Sequence, residues 1–224
     1  MRNYRAEDVI TVVGIDLAKQ VFHLYGVNKQ GKAVLRKQIR RNKLMEFIAL
    51  LPTCLIGMEA CGGAHDWARK FKAAGHHVRL MNPKFVKGYV KSNKNDMIDA
   101  EAICEAVQRP NMRFVPIKSI EQQDIQRLHR AREQAVHNRT ALSNQIRGLL
   151  MEYGVVIPRG ITHLHAAIPQ ILEDADNGIS DMFRELLATL AEDFNQMEQR
   201  IAAGGFKVEV QHIQNVFCSR MTQA

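Results

Sequence analysis

Residues 9–16 read Val9-Ile10-Thr11-Val12-Val13-Gly14-Ile15-Asp16, a β-branched run that ends on a carboxylate. β-Branched side chains pack well on a pleated surface, so the run predicts a buried strand, and Asp16 at its exit is the first candidate site residue. Residues 21–27 (VFHLYGV) and 33–39 (AVLRKQI) predict two further strands. The Gly-containing stretch Asn28 to Lys32 between them is a hairpin loop, so three antiparallel strands open the chain. Asn42 is placed to cap a helix whose apolar face is Leu44, Phe47, Ile48 and Leu51, stopped by Pro52. A short strand, Cys54 to Met58, follows and ends on Glu59, again a carboxylate at the exit of an apolar strand. Cys61-Gly62-Gly63 turns the chain into a helix through Trp67 to Ala74, Gly75 stops it, and residues 77–81 return as a strand. That rhythm implies parallel pairing and an α/β fold with a mixed sheet flanked by helices.

Asp96 and Asp99 sit three apart at the predicted start of a later helix, so they share one face. Ala102, Ile103, Ala106 and Val107 continue the side on which Asp99 lies. First-turn acids are favoured by the helix dipole, which would explain the pair by itself. Upstream, Asn82-Pro83 opens a helix on which Lys84, Lys87, Lys91 and Lys94 recur on one face, and no acid occurs from Arg79 to Asn95. A one-sign stripe of this kind is either a solvated face or a set of phosphate contacts; its position beside paired acids favours phosphate. Asp16, Glu59, Asp96 and Asp99 could converge at one sheet edge and hold hard divalent cations such as Mg2+, which leave positions open for substrate phosphates. A hairpin-first sheet with acids after strands one and four and a DxxD helix is the pattern of an RNase H-like nuclease core.

Composition agrees with a folded, basic protein. The 224 residues are 46% hydrophobic, and 31 Lys and Arg against 23 Asp and Glu give a formal charge of +8. The pI near 9.5 favours a polyanionic partner. Cys54, Cys61, Cys104 and Cys218 have no CxxC spacing, and the N-terminus has no secretory pattern, so reduced thiols and a cytoplasmic location are expected. No apolar run reaches the roughly 20 residues that span a bilayer.

From about Ser119 to Glu152, Leu128, Ala135, Leu142 and Leu149 repeat every seven residues, predicting a long helix with coiled-coil character. Arg127, Arg130, Arg132, Arg139 and Arg147 are assigned to its outer face, where they either contact nucleic acid or solubilise the helix. A linker from Tyr153 to about Asp176 precedes a second helix bearing Phe183, Leu187, Leu190, Phe194, Met197 and Ile201. The two helices are expected to pair antiparallel or between chains. The expected divisions are a nuclease-like domain over 1–112, a long helix over 113–155, a linker and second helix over 156–203, and an irregular tail over 204–224.

The motifs GIDLAK around Asp16, MEACG around Glu59 and KSNKNDMIDAEAI around Asp96 and Asp99 resemble the RuvC-like DEDD domain of the IS110 family of insertion-sequence transposases, and are also similar to Piv-type DNA invertases. The likeness covers residues 10–150 and continues more weakly to about 203. It implies that the four acids are catalytic ligands of Mg2+ or Mn2+ and that the helices form a coiled-coil arm. It further implies DNA cleavage and strand transfer guided by a structured non-coding RNA, in dimers or tetramers. Family members also carry a C-terminal domain with a catalytic serine. Its motif is absent here, so a truncated copy holding only the metal-binding half of the active site is expected. Two other readings compete. An actin-like or sugar-kinase ATPase would need a second Gly-rich phosphate loop, which the sequence lacks. A non-catalytic dimerising nucleic-acid-binding regulator would keep the helices and need none of the acids. A zinc site on His163 and His165 has no further ligand at suitable spacing.

Overall fold

The computed structural model describes residues 9–89 and 96–202, and the chain divides into two compact units between Ser119 and Ile120. In the first unit the apolar runs form strands β1 (Ile10–Asp16), β2 (Val21–Asn28), β3 (Ala33–Arg40), β4 (Leu55–Glu59), β5 (His77–Met81) and β6 (Phe114–Val115). They make one six-stranded sheet in the order β3-β2-β1-β4-β5-β6. β1, β2 and β3 are antiparallel neighbours, β1, β4 and β5 are parallel, and the two-residue β6 closes the far edge antiparallel to β5. This mixed sheet is compatible with an RNase H-like fold. β3 forms the other edge and carries exposed Arg36, Lys37 and Arg40.

Helices cover both faces of the sheet. The helices are α1 (Leu44–Ala49), α2 (Ala64–Ala73), α3 (Pro83–Val86) and α4 (Asp96–Ala106). Alternation along β1 sends Val13 and Ile15 to one side, where they join Phe22, Leu24, Ile56, Met58, Trp67 and Phe71 in a core under α2. Phe22 meets Trp67 edge-on at 5.3 Å, and Trp67 stacks on Phe71 at 5.6 Å. Such pairs contribute about 0.5–1.5 kcal/mol beyond their buried area. The other face buries Val12, Tyr25, Val27 and Met81 against Ala100, Ala102, Ile103, Cys104, Ala106 and Val107 of α4 and its exit.

Two glycines allow that second contact. A Cβ at Gly14 would fall inside the backbone of Ala100 and Cys104, reaching 2.8 Å from Cys104 Cα, and one at Gly57 would lie 2.7 Å from Val107 Cβ. The backbone of α4 therefore rests directly on β1, and the Val107 side chain just past its end rests on β4, which no larger residue at Gly14 or Gly57 permits.

Several expectations are corrected here. The chain after β3 turns first through a 3-10 segment, Arg41–Lys43, so Asn42 lies inside that turn and makes no cap for α1. Asn82 does cap α3, accepting from Lys84 N, but α3 ends at Val86 and Lys87–Tyr89 is 3-10. Lys84 and Lys87 are thus not on one continuous α-helix, and Lys91 and Lys94 lie outside the described residues. His76 is buried, with Nδ1 3.4 Å from Cys54 N and Nε2 3.2 Å from Ile48 O. It thereby joins α1 to the start of β4 and the entry to β5.

The second unit contains α5 (Ile120–Met151), α6 (Ile161–Glu173) and α7 (Asp181–Ala202). Helix α6 occupies most of the stretch read as linker. Gly160 and Pro169 signal a break, but burial of Leu164 and Ile168 at i, i+4 spacing overrides it, and exposed Pro169 leaves its orphaned carbonyl partner to water. Leu142, Ile146 and Leu150 of α5 pack with Phe183, Leu187, Ala191 and Phe194 of α7. Tyr153 stacks on Phe183 at 4.4 Å at one end, and Arg139 pairs with Glu198 at 2.6 Å toward the other, so α5 and α7 run antiparallel. Only the C-terminal half of α5 takes part, and Leu128 is exposed. Arg139 and Arg147 are not solvating residues of an outer face. Arg139 is held by Glu198, and Arg147 binds Ser143, the Pro158 carbonyl and the Gly160 carbonyl.

Candidate metal centre

Asp16 closes β1 on the α4 side of the sheet, and Gly14 two residues earlier is where α4 touches β1. The contact brings the first turn of α4 over the strand end. Carboxylate oxygens of Asp16, Asp96 and Asp99 consequently lie within 4.8 Å of one another, with Asp16 and Asp99 half-buried and Asp96 exposed. Glu59 at the end of β4 faces the same side but lies outside that close set. Its carboxyl is nonetheless coupled to it electrostatically. Burial first, then the charges of Asp16 and Asp99, raise the Glu59 pKa, while Lys87 opposes the shift. Asp16 is raised likewise, by burial, then by Asp99 and Asp96, against His23 and a backbone hydrogen bond at Leu17.

Like charges held this close disfavour their own ionised forms, and a cation among them reverses the penalty. The donors are all carboxylate oxygens drawn from two separate elements, the set that hard divalent ions prefer. The residues present therefore fit a metal ion. Of the four acids expected at one sheet edge, Asp16, Asp96 and Asp99 come together, and Glu59 stands outside the close set.

His23 was missed by sequence reasoning. It sits directly opposite Asp16 in the β1–β2 ladder, and its Nδ1 lies 3.8 Å from Asp96 Oδ2. That nitrogen is buried and has no hydrogen-bond partner. A register prediction for the hairpin would have found it, since directly opposed residues project to the same face.

The basic candidates are more dispersed. Lys84 and Lys87 are exposed on α3 and the turn after it, and Lys87 is near enough to influence Glu59. Arg127 and Arg130 are exposed on α5 in the other unit, with Arg127 paired to Asp124 at 3.2 Å. His163 Nδ1 donates to the Arg159 carbonyl at 2.8 Å, and His165 lies 3.4 Å from Glu198.

A family model described as transposase, the DEDD type of IS110 elements, matches residues 13–155, which contain all four acids. The chain belongs to the IS110-type DEDD transposase family. Relatives include a probable family 20 transposase of Pseudomonas aeruginosa, 47% identical over 85% of this chain and 56% of that protein. The transposase for insertion sequence element IS1328 of Yersinia enterocolitica is 45% identical over 72% of this chain and 49% of that protein. The transposase for IS1111A of Coxiella burnetii is 39% identical over 95% of this chain and 58% of that protein. The chain spans about half the length of the curated relatives it matches. Among the described residues no helix is long and apolar enough to cross a membrane.

Proposed function

We propose that this chain supplies the metal-dependent half of a DNA transposase: a site at which Asp16, Asp96 and Asp99, with Glu59 beside them, bind Mg2+ or Mn2+ and position a DNA phosphodiester for cleavage and transfer. The observation that carries the reading is the convergence of three carboxylates within 4.8 Å from a strand end and a helix start. A bound divalent ion supplies Lewis-acid stabilisation of the phosphoryl oxygens. Asp16 is fixed by the sheet, so it sets the position of the site. Asp96 and Asp99 are fixed by the seating of α4 on Gly14. His23 Nδ1, 3.8 Å from Asp96 Oδ2, is the outer-shell group nearest that carboxylate, and such support typically changes metal affinity 10–100-fold. Lys87, and with it Lys84, Lys91 and Lys94, supplies positive charge for the backbone of the substrate; Arg127 and Arg130 of the second unit are separate candidates for nucleic-acid contact.

Within this reading, the coiled-coil arm, homo-oligomerisation through it and a structured guide RNA follow from the family resemblance, and the domain boundaries and a cytoplasmic location from the sequence pattern. Calorimetric titration of Mn2+ into the chain, beside Asp16→Asn and Asp99→Asn variants with unchanged circular dichroism, tests the site. Binding that both substitutions abolish is expected. Binding that survives them, or no binding to the wild type, overturns the metal reading and favours a non-catalytic nucleic-acid-binding role.

A further inference from the structure

The same end of the sheet that carries Asp16 holds a second feature on its opposite face. β1 ends there, β2 begins there and β3 ends there, with Val21 opposite Arg40 and Arg41 N bonded to Gln20 O at 2.8 Å. An open groove of about 700 Å³ is lined by Gln20, Val21, Arg40, Arg41, Asn42, Trp67 and Lys70. Arg41 is held in place without a counterion. Its guanidinium lies 5.6 Å from the Phe22 ring centre and 5.3 Å from that of Trp67, and Nη1 is 3.5 Å from the Lys19 carbonyl. Among the described residues neither Arg40 nor Arg41 is ion-paired. Asp66 alongside is shared between Lys70 at 2.8 Å and Arg69 at 3.8 Å. The groove thus keeps an excess of positive charge on a guanidinium already oriented by two aromatic faces, an arrangement suited to phosphate oxygens.

We propose that this groove binds the phosphodiester backbone of DNA. The inference rests on the DNA-directed reading above and adds a second contact to it. Asp16 and its neighbours face α4, the groove faces α2, and only the turn from Leu17 to Gln20 separates them along the strand end. DNA engaged at the acids continues across that turn, and the groove holds the flanking phosphates. The contact is electrostatic and independent of sequence, so it contributes register and affinity and does not select bases.

The test measures binding of a fluorescein-labelled DNA duplex by anisotropy in EDTA, which removes the metal site from the result, over a range of salt concentrations. Arg40→Gln/Lys70→Gln is expected to weaken binding by about 10-fold and to flatten the dependence of log Kd on log salt by about 2. Lys29→Gln/Lys32→Gln, an equal charge loss at the hairpin loop on the opposite end of the sheet, is expected to change affinity less than about 3-fold, as a net-charge effect alone would. Arg41→Lys, which keeps the charge and loses the aromatic-held fork, should give an intermediate loss. Circular dichroism melting confirms that each variant folds. Equal effects of the two double variants, or no effect of the groove variant, overturns the inference. The groove variant keeps wild-type Mn2+ affinity if the two sites are separate, so failure here leaves the metal reading standing. A wild type that binds no DNA overturns both the groove and the DNA-directed reading, and an RNA duplex that alone depends on Arg40 and Lys70 overturns the assignment to DNA.

Discussion

At Asp16 the requirements of the site and of the fold conflict. Burial and the charges of Asp99 and Asp96 raise its pKa, so the native state holds the proton more tightly than the unfolded chain does. Stability from this group is fully present below the unfolded carboxylate pKa of about 4 and is lost as pH rises through the higher folded value. Asp16→Asn should therefore raise the melting temperature of the metal-free chain at pH 7, with the gain disappearing near pH 4, while abolishing Mn2+ binding; thermal melts at the two pH values and calorimetry check this. His23 makes a separable prediction. His23→Leu removes the nitrogen facing Asp96 and should weaken Mn2+ binding about 10-fold, whereas His23→Asn, which keeps a donor at the Nδ1 position, should stay within about 3-fold. An Asp96→Asn background should erase the difference, because the imidazole acts through that carboxylate. Asp16 was legible as a carboxylate at a strand exit, and the place of His23 was not. His23 becomes part of the site only through the β1–β2 register.

Among the elements, α4 decides whether the acids meet. Its seating depends on Gly14 and Gly57, where a side chain would occupy the space of the helix backbone or of Val107. Gly14→Val should destabilise the first unit by about 1–3 kcal/mol or more through overpacking, and should lose Mn2+ binding even under conditions where the sheet remains folded. Denaturant melts with calorimetry on the same samples separate the two effects. The strands and their hairpin were readable because β-branched runs and a Gly loop dictate them locally. The pairing of β6 was not, since two residues carry no period. Helix α6 was hidden for a different reason: Gly160 and Pro169 are breaker residues by local rules, and only burial of Leu164 and Ile168 in the second core outweighs them. The seven-residue spacing on α5 was present in the sequence, yet it did not disclose that Leu142 packs while Leu128 stays exposed.

For the whole molecule, the two units have separate cores, and every acid of the candidate centre belongs to the first. A fragment of residues 1–119 should accordingly fold and bind Mn2+ within about 3-fold of the full chain; calorimetry on that fragment checks it. The overall class was legible because alternating strand and helix signals with a basic balance leave few architectures. Lys91 and Lys94, expected on a lysine stripe with Lys84 and Lys87, lie outside the described residues. The outermost strand of the sheet bears on something other than chemistry. β3 ends the ladder with one row of backbone amides and carbonyls facing outward, a template on which another β-strand could grow. Arg36, Lys37 and Arg40 place like charges along that row, so two copies approaching edge to edge repel before their amides pair. The cations on β3 thus oppose growth of the sheet from that edge.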